Sequence, residues 1–138
     1  MEPQTPKLTV DAVIISKGKL VLIKRRNPPF KGQFALPGGF VDIGETVENA
    51  VIRESLEETG LHIRIIKLVG VYSEPSRDPR GHTVSVTYLA ISDDVPRAGS
   101  DAVSLELFDI DELPEMAFDH SRIIEDAKDD IYGILSKM

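Results

Sequence analysis

Apolar and polar residues fall into blocks along this chain, and the period of the pattern changes from block to block. Leu8 to Ser16 and Lys19 to Lys24 are dense in Val, Ile and Leu, which predicts two strands with Lys17-Gly18 as the hairpin turn between them. Asn27, Pro28 and Pro29 break that pattern, and Gln33 to Leu36 predicts a short extended piece. His62 to Tyr72 and His82 to Ile91 read as strands flanking the loop Ser73 to Gly81. A further extended segment, Val103 to Phe108, precedes a tight turn or short helix at Asp111 to Pro114. Helical spacing takes over near the C-terminal end, where Ile123, Ile124, Ala127, Ile131 and Ile134 predict a helix over Ser121 to Leu135 with one apolar face for the sheet. A second helix is predicted from about Thr46 to Thr59. Thr46 suits the N-cap, Asn49 leaves the capping box incomplete, and Gly60 supplies the stop. With no internal repeat and no linker, residues 1–138 are expected to form one α/β domain, a mixed sheet sandwiched between helices.

The Thr46 to Thr59 helix departs from a plain amphipathic pattern. Val47, Ala50 and Val51 form a stripe whose continuation is Glu54 and Glu58, so carboxylates stand where core residues are due. Ile52, Leu56 and Thr59 lie on the other side, and the helix is expected to be covered on two flanks. Glu54, Glu57 and Glu58 repel one another at i,i+3 and i,i+4 by a few tenths of a kcal/mol per pair. Such a cluster is either a solvated acidic face or the seat of a cation. Clustered, half-buried carboxylates favour a hard cation, magnesium, manganese or calcium, over zinc. Pro37, Gly38, Gly39 and Gly44 lead into the helix. They predict an approach that is neither regular helix nor central strand, with a backbone able to come close to a ligand.

Composition narrows the partners. With 16 basic and 23 acidic residues the net charge is -7, which argues against a nucleic-acid partner and for small ligands. No cysteine is present, which excludes a disulfide framework and cysteine-based catalysis and fits a reducing compartment. Met1 to Val10 lacks the apolar core of a signal peptide and the apolar runs are too short to cross a bilayer, so a cytoplasmic location without a membrane partner is expected.

The order Gly39, Glu45, Arg53, Glu54, Glu57, Glu58, Gly60 resembles the complete Nudix box, the signature of hydrolases acting on a nucleoside diphosphate linked to another moiety. The resemblance implies the Nudix α/β/α sandwich. It also implies a divalent cation, Mg2+ or alternatively Mn2+, held by Glu54, Glu57 and Glu58 with the backbone carbonyl near Gly38 or Gly39. Glu45 and Arg53 would then brace the loop on the helix as an ion pair, and Gly60 would close the box. Ser55 departs from the usual aliphatic residue, and Leu56 is expected to take over its packing. The general base is Glu54 or an acidic residue on a later loop, Asp101 ahead of Asp93 and Asp94.

Substrate choice must come from outside the box. Tyr72 to Ala90 is similar to ADP-ribose pyrophosphatases of the Nudix family, in which a proline a short way beyond the box, here Pro75, goes with ADP-ribose. The run RDPRGH would place Arg77, Arg80 and His82 near the cleft. Two arginines on a proline-stiffened loop either clamp phosphate or ribose oxygens, or leave one of them paired with Asp78. The approach Lys24 to Glu45 resembles the same subgroup, with Arg25 or Arg26 meeting a terminal phosphate or forming a solvated strand end. Ala117 to Ile124 resembles the segment before its last helix, with Phe118 as base platform or core and His120 near the ligand or simply at the helix start. A tryptophan common near the strand before the DELP turn is absent, Leu107 and Phe108 standing there. The expected activity is magnesium-dependent cleavage of ADP-ribose to AMP and ribose 5-phosphate. The alternatives are a housecleaning hydrolase for oxidised nucleoside triphosphates, dinucleoside polyphosphates or NADH, and a non-catalytic ADP-ribose sensor. A homodimer is implied by the resemblance alone.

Overall fold

Successive residues of the most apolar segment, Val10 to Ile15, point to opposite sides, and both sides are buried. That is the mark of a strand covered on two faces. The computed structural model describes residues 2–97 and 102–138. Their elements run β1 (Lys7–Ser16), β2 (Lys19–Arg25), β3 (Phe34–Ala35), β4 (Gly38–Phe40), α1 (Val47–Thr59), β5 (Arg64–Tyr72), β6 (Thr83–Ser92), β7 (Ala102–Phe108) and α2 (His120–Leu135). The strands join in one seven-stranded mixed sheet of order β3-β2-β1-β6-β5, with β4 added to β1 and β7 to β2. β1 and β6 pair in parallel from Lys7↔Thr83 to Ser16↔Ser92, and the other pairings are antiparallel.

The two-residue period of β1 builds two cores. Val10, Ala12 and Ile14 pack with Ala50 and Val51 of α1, together with Val21, Leu61 and Ala90. Val13 and Ile15 pack with Ile123, Ile124, Ala127 and Ile131 of α2, together with Leu20, Leu22 and Leu89. Each large aliphatic side chain so buried contributes about 1.5–3 kcal/mol. The α/β/α sandwich expected from the sequence is therefore present. Among the described residues no helix is long and apolar enough to cross a membrane.

Two local expectations about α1 are corrected, while that for its approach holds: Gly38 and Gly39 lie in β4, a three-residue strand off the main strand order, which pairs with β1 through Val10↔Gly39 and Asp11↔Gly38. A Cβ on Gly38 would stand 2.2 Å from the Val10 carbonyl oxygen, so only glycine lets β4 lie this close. The outer flank of α1 is not covered, since Ile52 and Leu56 are 37% and 40% exposed. Leu56 does not replace Ser55. Ser55 keeps the buried position with its hydroxyl unpartnered, and one residue further the helix has turned by about 100°, which carries Leu56 outward.

Candidate active site

Helix α1 is fixed at both ends before it presents any chemistry. Thr46 Oγ1 accepts from the Asn49 amide at 3.0 Å, and Gly60, at φ 73°, sends its amide to the Leu56 carbonyl. The loop ahead of the helix is tied down by Arg53. Its Nε and Nη2 donate to the two oxygens of Glu45 at 2.7 and 2.9 Å, its Nη1 to Glu54 at 2.7 Å, and its Nη2 to the Phe40 carbonyl at 3.1 Å. Hydrogen bonds from Arg53, then the Asp42 amide, hold the Glu45 carboxyl at about 2. The Arg53 guanidinium is pushed above its ordinary value by the same partners.

The glutamates divide. Glu58 is buried and accepts from the Gly38 amide at 2.6 Å. The Glu54 carboxylate lies against Gly39, where a Cβ would come within 2.4 Å of it. Glu57 is different: its side chain is 59% exposed, reaches Arg53 only at 3.3 Å, and does not line the cleft. Glu54 and Glu58 line a cleft of about 340 Å³ with Gly38, Gly39, Asp11, Arg25, Arg77, Arg80, Phe118 and His120. Elements far apart in sequence thus converge on one side of β4.

The cleft floor holds a group that the pattern reading passed over. Asp11 continues the row of Val13 and Ile15 towards the cleft, where a carboxyl replaces an aliphatic side chain. Ser85 donates to it, and His120 Nε2 stands 3.7 Å away. Burial raises the Asp11 carboxyl to about 7 against the lowering effect of the Ser85 hydrogen bond. Burial lowers the His120 imidazole to about 3. His120 Nδ1 accepts from the Leu36 amide at 3.0 Å, so the neutral ring carries its proton on Nε2, facing Asp11. His120 therefore steadies the segment entering β4. The sequence signal for Asp11 was a lone carboxylate within an apolar strand.

The two loop arginines have separate tasks. Arg77 is 5% exposed at its side chain and fully engaged, with Nε and Nη2 on Asp119 at 2.9 and 2.8 Å and Nη1 on Thr83 at 3.1 Å. It clasps the loop before β6 to the start of α2, and Asp119, which had drawn no notice as a site residue, is its counter-ion. Arg80 pairs with Asp78, the bland alternative for this loop, yet remains half exposed and lines the cleft. For Asp78, burial works upward but the Arg80 hydrogen bonds prevail and the carboxyl is lowered.

Phe118 is not a free platform. The guanidiniums of Arg25 and Arg80 stand 4.9 and 5.6 Å from its ring centre, and Phe30 meets it edge-on at 4.8 Å. Phe30 and Phe118 both take positive φ, 62° and 54°. Arg25 is lowered from its ordinary value by burial, then by Arg80. Arg26 and Pro75 are exposed and outside the cleft lining. His82 bonds the Ser73 carbonyl and lines an adjoining cavity. Asp94 pairs with His62, neither it nor Asp93 lines the cleft, and Asp101 lies outside the described residues.

The donor set fits a hard divalent cation. Glu54 and Glu58 bring only oxygens, on one face of one helix, and repulsion from Glu54 contributes to raising Asp11. Among the described residues no three acidic or histidine side chains already surround one point.

Known proteins resemble this chain in sequence and fold. An ADP-ribose pyrophosphatase of Methanocaldococcus jannaschii is 54% identical over 122 residues, 88% of this chain and 72% of that protein. The NUDIX domain of Shewanella oneidensis NrtR, solved in complex with ADP ribose, superposes with a TM-score of 0.83 at 32% identity, covering 93% of this chain and 90% of that one. A MutT/nudix family protein of Enterococcus faecalis superposes with a TM-score of 0.86 at 34% identity, covering 96% of this chain but only 64% of that longer one. The family pattern described as NUDIX domain runs through residues 5–127, and with Glu54 and Glu58 set on Gly39 and Gly38 at one cleft, this chain belongs to the Nudix family.

Proposed function

We propose that the chain hydrolyses the diphosphate bond of ADP-ribose to AMP and ribose 5-phosphate. The observation that carries this reading is the meeting, in one cleft, of Glu54 and Glu58 with the arginines Arg25 and Arg80, an oxygen-rich cation seat beside anion-binding groups. The 54% identity to an ADP-ribose pyrophosphatase supports the choice of substrate.

Glu54, Glu57 and Glu58, with the backbone carbonyl at Gly38 or Gly39, are the residues that would hold Mg2+ or Mn2+, Glu57 from outside the cleft lining and the other two from within it. A bound divalent cation supplies charge neutralisation at the phosphoryl oxygens and lowers the pKa of water. Arg53 holds Glu45 and Glu54 together and so keeps the β4–α1 loop on the helix. Arg77 fixes the α2 start to the opposite loop, which sets Arg80 over Phe118. Arg25 and Arg80 face the anionic portion of the substrate. The proton of the attacking water is taken by Glu54 or by Asp101, and comparing Glu54→Gln with Asp101→Asn assigns it. A cytoplasmic homodimer belongs to the same proposal.

The test is incubation with Mg2+ and a panel of ADP-ribose, NADH, diadenosine polyphosphates and oxidised dGTP, with products separated by chromatography. AMP and ribose 5-phosphate from ADP-ribose are expected. Turnover of another compound with ADP-ribose untouched would move the substrate within the family. Binding of ADP-ribose without any turnover would identify a sensor.

A further inference from the structure

The cleft does not end at Arg80. A second cavity, of about 590 Å³, shares Phe40, Asp78, Arg80 and Thr83 with it and extends to the N-terminal segment. No role has been given to this space. The nucleoside end of the proposed substrate has also been left without a seat, because the ring first expected to stack on it, Phe118, is already covered by two guanidiniums and the edge of Phe30.

Among the described residues lining both spaces, one other phenyl ring stands at the junction. Phe40 is 45% exposed, unusual for a large apolar side chain on a strand, and no core cluster includes it. Its backbone is firmly placed: Phe40 pairs with Thr9 of β1, and its carbonyl accepts from Arg53. It lines the cleft together with Glu54 and Glu58, and so borders the proposed seat of the diphosphate. Its current neighbour is the Lys7 ammonium, 5.6 Å from the ring centre, on an exposed and flexible side chain that can turn aside. Beyond the ring, the Gln4 amide and the Thr5 hydroxyl border the cavity and offer hydrogen-bonding groups to the edge of a base.

We propose that Phe40 is the platform on which the adenine of the substrate stacks, and that the second cavity houses the nucleoside end. The diphosphate then lies between the box glutamates and Arg80, and the ribose phosphate end lies towards Arg25. The assignment rests on the ADP-ribose reading for the identity of the base.

The chain contains no tryptophan, so Phe40→Trp places a single fluorescent reporter at the platform. AMP titrated into this variant quenches the emission, and ribose 5-phosphate, which lacks the base, leaves it unchanged. Emission that ignores AMP, whether calorimetry shows AMP bound or not, overturns the assignment, as does equal quenching by both ligands. In kinetics, Phe40→Ala raises KM for ADP-ribose by about tenfold, the scale of one base–aromatic stack, with a smaller effect on kcat, and Phe40→Tyr restores it. An unchanged KM in Phe40→Ala overturns the platform as well. Turnover of ADP-ribose by the parent, measured separately, divides the outcomes. Quenching by AMP without parent turnover keeps the platform and removes the substrate reading, whereas parent turnover with a silent Trp removes the platform alone.

Discussion

Adding one methyl group at Gly39 separates chemistry from stability. Gly39 has no left-handed backbone to protect, so the effect of Gly39→Ala is steric. The new Cβ would lie 2.4 Å from the Glu54 carboxylate, where ordinary contact begins at 3.4 Å, so the carboxylate must move by the difference, 1.0 Å. Glu54 is the far end of a flexible side chain with 15% of its surface exposed, so the movement costs the fold less than about 1 kcal/mol. The same movement strains the 2.7 Å bond to Arg53 and misplaces a carboxylate proposed to hold the cation. Misplacement of a catalytic group by an ångström costs about 100-fold in rate, or about 2.7 kcal/mol in activation free energy. Gly38→Ala is the control. Its Cβ would meet the Val10 carbonyl oxygen at 2.2 Å, backbone of the central strand, which cannot swing aside. Parting β4 from β1 costs at least about 3 kcal/mol, a fall of about 10 °C in Tm. Saturating ADP-ribose turnover followed by AMP release, with thermal denaturation by circular dichroism, reads both effects. A Gly39→Ala enzyme within threefold of the parent kcat, or one as thermolabile as Gly38→Ala, would refute the reasoning.

Asp119→Ala leaves the buried Arg77 guanidinium uncompensated and should cost about 3–5 kcal/mol by urea denaturation, whereas Lys67→Ala, whose ion pair with Asp130 is exposed on both sides, costs under about 1 kcal/mol. Similar losses in the two variants would contradict that division. Ser55→Ala removes a buried hydroxyl without a partner and should stabilise by about 1 kcal/mol, a gain that an unchanged Tm would deny. The pH response depends on two groups of opposite sign. His120 is lowered to about 3, so between there and 6.5 the unfolded state binds the extra proton and stability rises with pH. Asp11 is raised from 3.8 to about 7, so in that window the folded state binds the extra proton and stability falls with pH. Each slope is at most about 1.4 kcal/mol per pH unit, and they offset one another between about pH 4 and 6.5. From pH 6.5 down to 4, Asp11→Asn should therefore lose stability more steeply than the parent and His120→Asn less steeply, and parallel curves would show that neither group titrates as described. Glu54→Gln, Glu57→Gln and Glu58→Gln should each lower kcat by at least about 100-fold with unchanged circular dichroism and weaken half-saturation by Mg2+. Any of them that keeps more than a tenth of the activity would leave the proposed cation site.

The elements were legible because their information is local. The strand and helix periods of Val10 to Ile15 and Ile123 to Ile134 are enforced by burial against a neighbour, and the two cores follow from them. The helix caps at Thr46 and Gly60 were equally plain, since a cap is a matter of a few adjacent residues. Less legible was the outer face of α1. Ile52 and Leu56 are apolar and helical in spacing, yet nothing packs over them, and composition alone does not say which flank of a helix meets a sheet.

The sequence by itself determined that the chain makes a mixed α/β sandwich and that three carboxylates collect on one helix behind a glycine-rich approach. Tertiary structure alone decided what each polar residue does there. Arg77 and Arg80 are the same residue type three positions apart, but one is spent on Asp119, 42 positions away, while the other opens onto the cleft. Asp11 reads as an oddity in a strand until β6 and α2 bring Ser85 and His120 to it. Phe118, legible in sequence as base platform or core, is covered by two guanidiniums from distant segments, whereas Phe40, on which no sequence-based expectation rests, is left exposed. The physical reason is common to all of these. Backbone conformation is selected by neighbours along the chain, whereas the charge, exposure and hydrogen bonding of a side chain are set by groups that only folding brings within a few ångströms.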